Sequence, residues 1–173
     1  ADVTRVKTDA EHFWSSDTTS PMHRAFGGHT LMRKDGCPHV RERDAMVGAL
    51  PAQHVEKWQP AFEQLTDDVL DAMAHQSSID LAQAFGVPLS AGYLKFILGL
   101  DDAGAARLFD WADALVRGAM NAGNDPAVFA TSDQANAEMN DCFDRMITLH
   151  RASPDGSVLS VMANALDPIE LSQ

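Results

Sequence analysis

Apolar residues recur along this chain at intervals of three and four. The clearest run is Val55, Trp58, Phe62, Leu65, Val69 and Met73, which places six side chains on one stripe of a long amphipathic helix. Glu56, Lys57, Glu63, Asp67 and Asp71 fall on its other sides. Pro60 inside the run predicts a kink, or a helix that begins there. The same period returns at Leu108, Trp111, Ala112, Leu115 and Ala119, and again at Met139, Cys142, Phe143, Met146 and Leu149. A capping-box pattern from Thr131 to Gln134 precedes the second of these. Pro88 suits a helix start, with Leu94, Ile97 and Leu98 following and Gly99 as a stop. Val158, Leu159 and Met162 predict one more short helix, and only Ile79-Asp80-Leu81 hints at a strand. The expected fold class is mainly α, with little β.

Two stretches lack this period. Phe13–Pro38 carries Ser15, Ser16, Thr18, Thr19, Ser20, Pro21, Gly27, Gly28 and Gly36, and reads as a long loop of the kind that usually serves function. Asn121–Thr131, with Gly123, Asn124, Asp125 and Pro126, reads as a second loop. Both ends read as cut. Asp2-Val3-Thr4-Arg5-Val6 starts a helical pattern without a lead-in, and Ile169-Glu170-Leu171-Ser172-Gln173 opens one that does not develop. Residues 1–173 are expected to form a single helical segment, one part of a larger catalytic domain.

Composition narrows the setting. Hydrophobic residues make up 45% and charged residues 22%, which is ordinary for a globular chain. The most apolar stretch, Tyr93 to Leu100, is short and broken by Lys95 and Gly99, so a membrane partner is not expected. The polar start carries no signal-like run, and the expected setting is soluble and cytoplasmic. A net charge of −12 disfavours nucleic acid as a partner. Against that acidity, Arg33, Lys34, Arg41 and Arg43 fall close together, a local patch suited to an anionic group or an acidic partner. Cys37 and Cys142 form no disulfide framework and no metal spacing, and are expected as free thiols.

The most informative stretch is Asp35-Gly36-Cys37-Pro38-His39-Val40-Arg41-Glu42-Arg43. Pro38 suits a helix start behind an Asp35-Gly36 turn, and His39 and Arg43, four apart, then share a helix face. An Arg fork beside a His donor can clamp a carboxylate or phosphate, although such a pair is commonly a solvated surface feature. Other clusters carry less. His23, His29, Cys37 and His39 can be drawn as zinc ligands, but their gaps fit no standard spacing. Asp67, Asp68 and Asp71 read as a solvated face, and Met139, Met146 and Met162 as core filler. No nucleophilic triad and no phosphate-cradling loop is visible, so no catalytic residue and no metal ligand is assigned.

The order Asp-x-x-x-His-x-x-x-Arg, after a long loop and before a long amphipathic helix, resembles the third helix of the haem-thiolate monooxygenases, the cytochrome P-450 superfamily. Asp2-Val3-Thr4-Arg5-Val6 through Glu11-His12-Phe13-Trp14-Ser15-Ser16 resembles that family's second helix and the segment after it. Ile79-Asp80-Leu81, Phe85-Gly86-Val87-Pro88-Leu89 and Ile97-Leu98-Gly99-Leu100 resemble its fifth-helix region. Phe109-x-Trp111 resembles the helix over the substrate pocket. The resemblance implies that His39 and Arg43 hold the haem propionates. It implies that Pro21–Leu31, with Leu115–Asn124, shapes the substrate pocket. For the intact protein it implies haem iron, O2, an apolar organic substrate and an electron-donor protein, ferredoxin-like or a fused reductase.

The family's other elements are missing. Its iron-binding cysteine sits in a Phe-x-x-Gly-x-x-x-Cys loop, whereas Arg33 stands four before Cys37 and Glu138 four before Cys142. None of the glutamates begins a Glu-x-x-Arg, and no Ala/Gly-Gly-x-x-Thr occurs. The chain is therefore expected to match an internal segment of the family domain, incomplete at both ends and inactive alone, since the thiolate push is absent. The alternative is a stand-alone helical binding or interaction module without haem or catalysis.

Overall fold

Local chemistry at the helix starts sets the architecture. In the computed structural model, which describes residues 2–50 and 52–166, Ser20 accepts the N–H of His23 at 3.3 Å and opens α2 (Pro21–Phe26). Asp101 accepts the Gly104 N–H at 2.7 Å and opens α6 (Asp102–Ala119). Asp125 accepts the Ala127 N–H at 2.9 Å, with Pro126 as first residue of α7 (Pro126–Ala152). Ser157 accepts from Ser160 and opens α8 (Val158–Ala165). Each satisfies a backbone donor that a helix start leaves without an internal partner. The remaining helices are α1 (Asp2–Thr8), α3 (Gly36–Ala49), α4 (Ala52–Met73) and α5 (Val87–Leu98). Among the described residues there is no strand. The fold is mainly α, as expected.

Among the described residues the core has two parts. The larger lies between α6 and α7, where Trp111, Ala135, Cys142, Met146 and Ile147 are buried together with Leu159 and Ala163 of α8. Leu98 and Met139 pack against it. The smaller joins the end of α3 to α4, α5 and α8 through Ala49, Trp58 and Val158, with Phe62, Ile97 and Met162 alongside. Met139, Met146 and Met162 thus fill core gaps. His150 is buried (3% exposed) and donates from Nε2 to the Gly99 carbonyl at 3.0 Å, tying the end of α5 to α7.

Several expectations are corrected in whole or in part. Helix α4 passes continuously through Pro60 rather than beginning there, with Trp58 and Val69 buried on either side of the proline. Burial of that stripe outweighs the one backbone hydrogen bond the proline removes. Ile79-Asp80-Leu81 is not a strand. The Asp80 carboxylate accepts the N–H groups of Ala82 and Gln83 at 2.9 and 3.2 Å and leads into a widened turn, Ala82–Gly86. The Thr131–Gln134 box starts nothing, because α7 has already begun at Pro126 and Thr131 donates back to the Ala127 carbonyl within it. The second loop therefore shrinks to the residues before Pro126. The stretch Phe13–Pro38 is not wholly a loop either, since it holds α2, a 3-10 turn at Leu31–Arg33 and the first turn of α3. The expectation for Ile169-Glu170-Leu171-Ser172-Gln173 lies outside the described residues.

Candidate cofactor-edge site on helix α3

Asp35 stands just before α3 in an extended conformation. Its side chain does not cap its own helix. Instead the carboxylate accepts the Ser15 N–H at 3.0 and 2.9 Å and the Ser16 N–H at 2.8 Å, pinning the segment after α1 to the start of α3. Those amide donors hold the Asp35 carboxyl below its usual range. His39, one turn further on, adds to the effect. The sequence places Asp35 in a turn; its tether to residues twenty positions earlier had no local signal.

The four-cation patch is mostly spent internally. Arg33 donates to the Asp17 carbonyl at 3.0 Å and lies 3.9 Å from its carboxylate. Lys34 is bound to Glu42. Arg41 also has an interaction within the protein. Arg43 is exposed, and among the described residues it has no ion-pair partner.

Helix α3 turns an unusual face outward. Its one buried residue is Ala49, while Val40 (53% exposed) and Val47 (58%) lie open. Val40, Arg43 and Val47 follow one another at helical spacing, with half-buried His39 beside them. An apolar stripe carrying a guanidinium and an imidazole is matched to an apolar group with a carboxylate edge. His39 and Arg43, four apart in α3, share a helix face, with Arg43 exposed and His39 half-buried.

The two expected pocket segments, Pro21–Leu31 and Leu115–Asn124, meet. Ala25 of α2 is fully buried against α6 and α7, where a Cβ added to Gly118 would lie 2.8 Å from the Ala25 Cβ and 2.7 Å from that of Ser132. Arg24 is ion-paired with Asp133 of α7, and its guanidinium stands 5.3 Å from the Phe129 ring centre. The rings of His23 in α2 and His29 just after it pack 4.6 Å apart. Nδ1 of His23, Nε2 of His29, Oγ1 of Thr30 and Nε of Arg33 are buried without hydrogen-bond partners among the described residues. Such atoms normally find partners, and although the sequence draws notice to His23, His29 and Arg33, it does not show that these atoms are buried together. From Leu115–Asn124, Leu115 is core, Asn121 is bound to Asp125 through both side-chain atoms, and Val116 and Met120 face outward.

The residues suit haem at one end only. His39 and Arg43 fit its carboxylate edge. Neither thiol fits its iron. Cys142 is buried in the α6–α7 core, and burial pushes its thiol upward, away from the thiolate form. Cys37 is exposed in the first turn of α3 without the glycine-containing loop described above. Among the described residues no three His, Cys, Asp or Glu side chains come together to hold a metal ion. No helix among them is long and apolar enough to cross a membrane.

No family model matches the chain. It is 29% identical over 140 residues to cytochrome P450 107B1 of Saccharopolyspora erythraea, covering 81% of this chain and 33% of that protein. It is 27% identical over 135 residues to cytochrome P450 CYP107DY1 of Priestia megaterium, covering 78% and 32%. The chain thus spans about a third of the length of these curated relatives. Among solved structures, cytochrome P450 CYP109B1 of Bacillus subtilis superposes with a TM-score of 0.77 at 23% identity, over 99% of this chain and 45% of that one. In sequence and in helical fold, the chain matches a segment of the cytochrome P450 superfamily.

Proposed function

We propose that this chain is part of a haem-thiolate monooxygenase that inserts one atom of O2 into an apolar organic substrate. In this reading the chain supplies the propionate clamp and part of the substrate pocket. The observation that carries the proposal is the outward face of α3. There Arg43, unpaired among the described residues, and half-buried His39 accompany exposed Val40 and Val47.

Haem with a thiolate ligand, when bound, supplies the O2 chemistry. The work of this chain is different. Arg43 would neutralise one carboxylate and His39 would donate to the same edge, so that these two residues would hold the group against α3. Asp35, by gripping the Ser15 and Ser16 amides, holds the start of α3 at a fixed height. The Arg24–Asp133 pair and the Ala25–Gly118 contact hold α2 against α6 and α7. Val116 and Met120 add apolar surface. Electrons come from a ferredoxin-like protein or a fused reductase.

The test is haem retention. In the haem-loaded protein, transfer of haem to excess apomyoglobin is followed for wild type, Arg43→Ala, His39→Ala and the surface control Arg5→Ala. The reading expects faster loss from Arg43→Ala and His39→Ala, and an unchanged rate for the control. Equal rates in all four proteins, or no haem uptake by any, would refute the clamp. Absence of haem uptake would leave the helical binding module as the better account.

A further inference from the structure

Away from His39 and Arg43, helices α4 and α5 and the segment joining α7 to α8 enclose a second cleft of about 710 Å³, within the size range of small-molecule sites. Its floor is aromatic. The rings of Trp58, Phe62 and Phe96 stand with centroids 5.8 to 6.4 Å apart, two of the three pairs edge-to-face. The walls are fixed by close packing, since a Cβ at Gly92 would lie 2.4 Å from Leu65 Cδ2. Such a floor takes an apolar body of aliphatic or aryl kind.

The charges around the cleft select among apolar bodies. Three charged residues line it: Lys57, Lys95 and Asp155. Lys95 is already bound to Asp102. The Asp155 carboxylate accepts the Ser157 N–H at 2.9 Å and lies 3.5 Å from His150 Nδ1. Lys57 is exposed, with no ion-pair partner among the described residues. One uncommitted ammonium therefore stands beside an aromatic floor. In a chain of net charge −12 this is a local exception. Lys57 at the rim also argues against a dry packing face for another protein segment, because a charged group is rarely buried without a partner. We propose that this cleft binds an apolar monocarboxylate, with Trp58, Phe62 and Phe96 against its hydrocarbon body and Lys57 on its carboxylate.

The experiment follows the indole N–H signals of Trp14, Trp58 and Trp111 in the nitrogen-15-labelled protein, each assigned by its Trp→Phe variant. Decanoate and decanol are titrated in parallel as charged and uncharged probes of equal length. The proposal expects decanoate to move the Trp58 signal saturably while Trp14 and Trp111 stay in place. Decanol should bind about tenfold more weakly, the factor that one partly solvated charge pair supplies. Lys57→Glu should remove that preference and leave decanol binding unchanged, with Lys57→Gln in between. The proposal is overturned by an unmoved Trp58 signal, as when another segment already fills the cleft. It is equally overturned by equal affinity for the two probes, or by a decanoate response that survives Lys57→Glu, which would place the ligand elsewhere.

Discussion

Gly99, where α5 ends, offers a sharp test of the packing. It has φ of +72°, in the left-handed region that costs a side chain-bearing residue about 1–2 kcal/mol. It is also crowded. An added Cβ would lie 2.5 Å from Ser157 Oγ, 2.8 Å from Ser157 Cβ and 3.0 Å from His150 Cε1. Ser157 is held in place as the cap of α8, and His150 is buried with Nε2 on the Gly99 carbonyl itself. Neither can step aside freely, so overpacking adds about 1–3 kcal/mol. Reduced freedom of the unfolded chain returns about 0.4–1 kcal/mol. Gly99→Ala should therefore lose about 2–4 kcal/mol of unfolding free energy in urea titration. Two controls separate the contributions. Gly156 has φ of +79° but nothing within 4 Å of its added Cβ, so Gly156→Ala should lose only about 1 kcal/mol. Gly48, in the last turns of α3 with open space around it, should gain up to about 1 kcal/mol as Ala. If Gly99→Ala falls within about 0.5 kcal/mol of Gly156→Ala, the claim that the end of α5 is locked against the α8 cap is wrong.

Glu138 accepts from Trp111 Nε1 at 3.0 Å, Arg107 at 2.7 Å and Gln134 at 3.0 Å, and these donors lower its carboxyl to about 2. A depressed folded value means that its contribution is present above the ordinary value of 4.5 and is lost as pH falls toward 2. Glu138→Gln should lower stability at pH 6 and flatten the acid limb between those values in thermal unfolding; an unchanged limb would count against the network. Asp35→Asn should raise amide hydrogen exchange at Ser15 and Ser16 without altering that of the α6–α7 core, and unaltered exchange at both serines would contradict the tether.

Much of the helical scaffold was legible because it rests on local periodicity. The stripe from Trp58 to Met73 is a helix face, and Met139, Cys142 and Met146 are core-facing at the same spacing. Pro88 and Gly99 bracket a helix within one residue. Errors came where two local signals competed. Asp125-Pro126 outranks Thr131-x-x-Gln134 as a helix start, because the aspartate caps while the proline supplies a preset φ and lacks the donor that would otherwise be orphaned. His39 and Arg43 could be named from their order, and both lie in α3, Arg43 exposed and His39 half-buried. What surrounds them was not legible. The grip of Asp35 on Ser15, the spending of Arg33 on Asp17 and of Lys34 on Glu42, and the Arg24–Asp133 pair join residues 8 to 109 positions apart, beyond any periodic signal. The cleft at Trp58, Phe62 and Phe96 is of the same kind, since two helices must pack before their aromatic residues become a floor.

The central claim is that this chain works within a haem-thiolate protein. The most direct measurement is the reduced, carbon monoxide-bound absorption spectrum of the protein expressed from its whole open reading frame. The account predicts a Soret band at the thiolate-ligated position. A spectrum without haem absorption, or one with the band of a histidine-ligated haem, would contradict it.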